Sequence, residues 1–138
     1  MEAARSIDAV ARMPGCDGYD LDAIGAYHQI ELGEDCPPTW RTLPRHRRPA
    51  SWDKNQDQVV PMKRKLYGHP RAGNYREEHV HKILTGEGSK PIPGWECVYY
   101  HPDKQLLVSV YVDDFKIGGK KENIMQMIAR LRKKIELD

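Results

Sequence analysis

Two aspartates stand side by side at Asp113 and Asp114, directly after the apolar run Leu106-Leu107-Val108-Ser109-Val110-Tyr111-Val112. Adjacent like charges repel, and a strand this apolar belongs in a core. A divalent cation removes the conflict, because magnesium takes a few carboxylate oxygens and keeps room for waters and substrate phosphates. That describes a nucleotidyl-transfer site. A solvated Asp-Asp turn has the same composition, so the pair alone does not decide between the two. Strand alternation puts Leu106, Val108, Val110 and Val112 on one face, and Ser109, Tyr111 and Asp113 on the other. With the apolar face packed on helices, Asp113 has the better claim to be a metal ligand, and Asp114, at the turn, is its helper.

The elements around this pair can be read from periodicity and turn chemistry. Glu96 to Tyr100 and Gln105 to Val112 are rich in β-branched and aromatic residues and flank His101-Pro102-Asp103-Lys104, which predicts a hairpin. A second tight turn at Asp113-Asp114 leads into Phe115, Lys116 and Ile117. After Gly118-Gly119, the stripe Ile124, Met127, Ile128, Leu131, Ile135 predicts a helix from about Lys121 to Leu137. Upstream, Asn74 opens a capping-box-like helix through about Leu84, with Val80, Ile83 and Leu84 inward. Tyr19 to Asp22 and Val59 to Leu66 are strand candidates. Glu2 to Met13 has a weak helical pattern ended by Pro14-Gly15, and Ala23, Ala26, Tyr27 and Ile30 have helical spacing. Residues 36–57, with Pro37, Pro38, Pro44 and Pro49, read as a Pro/Arg-rich connector. The expectation is one α+β domain, an antiparallel sheet with helices packed on one face.

Bulk properties exclude several classes. The chain has 138 residues, 39% of them hydrophobic and 30% charged, which suits one domain or part of one with a modest core. No run is long enough to span a bilayer and no signal-peptide pattern opens it, so the expectation is an intracellular, not secreted, protein without a membrane partner. Cys16, Cys36 and Cys97 form no C-x-x-C pair and predict reduced thiols. His79 and His81 point some 200° apart on a helix, too far to share a metal. Trp40, Trp52 and Trp95 could stack on bases, but packing is the simpler expectation. Net charge is only +2, but it is unevenly spread. Between Arg41 and Arg71 lie nine basic residues (Arg41, Arg45, Arg47, Arg48, Lys54, Lys63, Arg64, Lys65, Arg71) against Asp53 and Asp57, an excess that can attract a phosphate backbone.

Tyr111-Val112-Asp113-Asp114, followed by an apolar residue and glycines, resembles the active-site motif of reverse transcriptases. The wider phrase from Leu107 to Gly119 is similar to the copia-type retrotransposon enzymes. Two further segments agree. Asp22-Ala23-Ile24-Gly25-Ala26-Tyr27-His28-Gln29-Ile30-Glu31-Leu32 resembles that family's first aspartate motif, and Leu66-Tyr67-Gly68-His69-Pro70-Arg71-Ala72-Gly73 its Leu-Tyr-Gly segment. Tyr99-Tyr100 before the hairpin turn also fits. The resemblance runs in order from Ile7 to Asp138.

The resemblance implies an RNA-directed DNA polymerase palm from a Pol polyprotein, with fingers and thumb largely missing. Asp22, Asp113 and Asp114 would be the catalytic triad holding two Mg2+ ions, or Mn2+. Asp20 competes with Asp22, which is favoured by the four-residue step to Ala26. Tyr27 would lie under the incoming sugar and exclude a 2′-hydroxyl. Arg71, where many members have Gln, would face the incoming nucleotide; Arg76 stands where such helices often carry Trp. Arg45, Arg47, Arg48, Lys63 and Lys65 would contact nucleic acid. The implied partners are an RNA or DNA template with primer, deoxynucleoside triphosphates, and integrase and RNase H of the same polyprotein. The implied location is cytoplasmic, in a virus-like particle, or nuclear. The alternative is a non-catalytic nucleic-acid-binding remnant.

Overall fold

The computed structural model of the chain describes residues 2–29, 31–32, 37–52, 58–64 and 72–138. In chain order its elements are α1 (Glu2–Ala11), β1 (Cys16–Asp22), β2 (Trp40–Thr42), β3 (Val59–Pro61), α2 (Ala72–Gly86), β4 (Lys90–Pro91), β5 (Val98–His101), β6 (Leu106–Tyr111), β7 (Asp114–Lys120) and α3 (Lys121–Leu131). The fold is α+β. Five strands make one antiparallel sheet in the order β1-β7-β6-β5-β4, and β2 pairs with β3 separately.

Alternation along β6 and β7 divides the molecule. Leu106, Val108 and Val110 on β6, with Phe115 and Ile117 on β7, face the core formed with Val80 and Leu84 of α2 and Ile124, Met127, Ile128 and Leu131 of α3. The four α3 residues follow i, i+3, i+4, i+7 spacing, which places them on one helical face. Each fully buried aliphatic side chain contributes roughly 1.5–3 kcal/mol, so α3 is firmly held.

The helices are not all on one face, as the sequence suggested. Lys116 and Gly118 alternate with Phe115 and Ile117 and so point the other way, and there they meet α1. Lys116 Nζ pairs with Asp8 at 2.8 Å, and a Cβ on Gly118 would stand 2.8 Å from Ile7 Cγ2. Gly18 and Gly118 are register partners in the sheet, and a Cβ on Gly18 would fall 2.8 Å from the Ala11 Cβ. The two glycines let a helix lie close on the sheet, which a periodicity reading of α1 cannot reveal. Only Ile7 of α1 is fully buried, so this helix is the most weakly anchored of the three.

Three other expectations change. Ala23 to Ile30 is not helical where described: residues 24–29 turn, Gly25 has φ +58°, and Ala23 bridges instead to Leu137. A residue in the left-handed region cannot continue a right-handed helix. The final helix stops at Leu131, since residues 136–138 run antiparallel to residues 22–24 through Ile24 N–H to the Glu136 carbonyl and Asp138 N–H to the Asp22 carbonyl. The 36–57 connector carries β2 and a short 3-10 turn at Arg45–Arg47 among its described residues, and the strand from Val59 extends only to Pro61. Trp40 and Trp95 are exposed rather than packed, because both lie off the core faces of the main sheet.

Candidate metal centre

Register brings the aspartates together. Asp22, the last residue of β1, stands directly across from Asp114, the first of β7. Asp113 occupies the turn between β6 and β7, and its carbonyl accepts the Ala23 N–H at 2.8 Å. One carboxylate oxygen from each of Asp22, Asp113 and Asp114 lies within 4.8 Å of the other two; Asp22 and Asp114 are exposed and Asp113 is half-buried. Asp20, the competitor for this role, is instead drawn to Lys116 Nζ at 3.4 Å, alongside Asp8.

The donor set fits a hard divalent cation. Magnesium–oxygen distances of about 2.1 Å put opposite ligands about 4.2 Å apart, so small rotamer adjustments would close three oxygens on one ion. The exposed side of the cluster leaves positions for water and phosphate. Exposed acidic groups also occur without metals, so the fit concerns chemistry and spacing only. The Asp22 carboxyl sits above its ordinary range. Partial withdrawal from water is the largest cause, despite the exposure of the residue; next come the charges of Asp113, Asp138 and Asp114, with the Ala23 backbone hydrogen bond opposing them.

The turn itself is strained. Val112 has φ +54°, a left-handed conformation rare for a β-branched residue and costing of order 1–3 kcal/mol. Arg76 of α2 answers it: its Nε donates to the Val112 carbonyl at 3.0 Å, and its guanidinium carbon sits 5.6 Å from the centre of the Phe115 ring. A hydrogen bond from a charged group contributes about 1.5–3 kcal/mol, the same order as the strain.

Beside the aspartates opens a cleft of about 1080 Å³, bordered by Asp22, Tyr27, Arg76, Tyr99, Tyr111 and Asp114. Its volume exceeds that of a typical small-ligand pocket. Tyr27 is buried at its wall and Tyr111 projects freely at its rim. Burial, with Glu77 and Glu96 behind it, raises the nearby Cys97 thiol, which suits an unreactive cysteine. Cys16 is a free thiol too, and Cys36 lies outside the described residues.

The basic candidates are only partly placed. Arg45, Arg47 and Lys63 are exposed, while Arg48 is half-buried and donates from Nε to the Leu43 carbonyl at 2.8 Å. Lys65 and Arg71 lie outside the described residues. Two neighbours of the aspartates are not read as such from the sequence. Asp138 accepts the Asp22 N–H at 2.8 Å through Oδ1, and no local pattern announces so distant a pairing. Arg76 could have been found: it lies four and eight residues before Val80 and Leu84, hence on the same buried helix face. His79 and His81 both lie on α2, and His81 Nδ1 lies 3.4 Å from the Tyr99 hydroxyl.

No protein-family model matches the chain, and no solved structure matches it at a significant level. Among the described residues, no helix is long and apolar enough to cross a membrane.

Proposed function

We propose that this chain is the palm region of an RNA-directed DNA polymerase of the copia retrotransposon type, which transfers nucleotides to a primer 3′-hydroxyl. The observation that carries the reading is the meeting of Asp22 with Asp113 and Asp114, three carboxylates from distant segments within 4.8 Å at the end of an antiparallel sheet. Asp22, Asp113 and Asp114 would hold two Mg2+ or Mn2+ ions, which supply activation of the hydroxyl and neutralisation of the departing pyrophosphate. The cleft beside them would admit a nucleotide, with the buried Tyr27 ring excluding a 2′-hydroxyl. Arg71 would meet the nucleotide, and Arg45, Arg47, Arg48, Lys63 and Lys65 the phosphate backbone of template and primer. Integrase and RNase H segments of the same polyprotein are the corresponding partners.

The test is extension of a DNA primer on an RNA template by a polymerase chain that carries this segment with fingers and thumb. Extension should require magnesium or manganese, and Asp113→Asn should abolish it while leaving template binding nearly intact. A second reading, a nucleic-acid-binding remnant without catalysis, is favoured by the exposure of Arg41, Arg45 and Arg47. Template binding with no extension by the wild-type chain would refute the polymerase and leave that reading.

A further inference from the structure

We propose that Arg76 is the positioning residue of the aspartate turn, a buried guanidinium that fixes the Val112 carbonyl and thereby sets where Asp113 and Asp114 point. The proposal rests on the metal-site reading of the three aspartates. Arg76 is 2% exposed and is among the largest fully buried side chains of the described residues. Charged groups are almost never buried so completely unless an interaction requires it. Its contacts bracket the acidic pair: Nε grips the carbonyl of Val112, the residue before Asp113, and the guanidinium stacks over Phe115, the residue after Asp114.

The geometry of the turn explains why a grip is needed there. Val112 stands in the left-handed region, from which a β-branched residue relaxes unless its surroundings over-determine it. Relaxation of Val112 would rotate the next peptide and carry the Asp113 side chain out of the cluster. Groups behind metal ligands act in this way, and losing one typically weakens metal affinity roughly 10- to 100-fold. Arg76 also reaches the turn from α2, so the helix and the aspartates are mechanically one unit. A side chain of similar volume without a donor would fill the same space but leave the carbonyl unheld.

Three measurements on the full chain test this with Arg76→Met and Arg76→Lys. Mn2+ binding is read from the paramagnetic resonance of the free ion, turn mobility from amide hydrogen exchange at residues 112–114, and folding from thermal melting. Arg76→Met removes the donor at similar volume, so the melting temperature should fall by an amount matching the lost hydrogen bond, while the chain still folds. Mn2+ affinity should fall about tenfold and turn exchange should quicken. Lys keeps the charge but lacks a donor at the ε position, so Arg76→Lys should show the same losses. If the Met variant does not fold, the Lys variant decides. A folded variant with wild-type Mn2+ affinity and wild-type exchange overturns the proposal. Should the wild-type chain bind no Mn2+, the metal reading fails separately, and the exchange comparison still decides what Arg76 holds.

Discussion

Asp113→Asn isolates one charge of the cluster, since the amide keeps the shape of the carboxylate. An ion shared by carboxylates within 4.8 Å of one another lies about 4 Å or less from the charge of each. A divalent cation and a unit charge about 4 Å apart in water attract by about 2 kcal/mol, a lower bound for the half-buried Asp113. Losing that attraction corresponds to about a thirtyfold weaker Mn2+ affinity. The assay is titration of Mn2+ into the chain at pH 7 and low salt, following the resonance of the free ion. Asp103→Asn is the control, because Asp103 sits in the turn at the opposite end of β6. Affinity within about twofold of wild type for Asp113→Asn, or an equal loss for Asp103→Asn, would refute the reasoning. The first result would mean that Asp113 is no ligand, the second that binding is diffuse attraction to acidic surface.

Other expectations concern the scaffold and the basic segment. Gly118→Ala places a Cβ 2.8 Å from Ile7 Cγ2 and 3.0 Å from the Ile7 carbonyl oxygen, so α1 must lift; thermal melting should register a loss of about 1–3 kcal/mol. Glu87 links α2 to α3 through Lys134 at 2.6 Å and Arg130 at 3.4 Å, and the Lys134 hydrogen bond holds its carboxyl below the ordinary value of 4.5. A depressed carboxylate stabilises the fold above its unfolded value and loses that contribution as pH falls through the folded one. Glu87→Gln should therefore melt lower than wild type at pH 7, with the gap closing as pH is taken below 4.5. Replacing Arg45, Arg47 and Arg48 with Ala should weaken binding to all nucleic-acid sequences alike, and flatten the salt dependence by about 0.7–0.9 log units per lost phosphate contact. An unchanged slope in filter binding would return the segment to an ordinary solvated loop.

Local pattern carried much of the fold. The β5–β6 hairpin, the strand after Asp114 and the inner stripe of α3 were legible because alternation and helical spacing are properties of neighbouring residues. The same rules put Asp113 and Asp114 at a turn. The sequence also marked Asp22, though only through its resemblance to a known motif, since nothing local links it to residues so far along the chain. Tertiary structure decided the rest. Pairing of β1 with β7 set Asp22 opposite Asp114, and a one-residue slip would have turned Asp22 to the other face. Residues 136–138 returned to the end of β1 and cut short a helix whose apolar stripe continued to Ile135. Gly18 and Gly118 form the bed of α1 once they stand side by side, a role no local pattern announces. The resemblance marks Arg76 only as standing where such helices often carry Trp; its place on the face of Val80 and Leu84 buries it beneath the turn. Composition and spacing fix which face a residue occupies. What that face meets depends on register and close approach between segments far apart in the chain, and those exist only after the chain has folded.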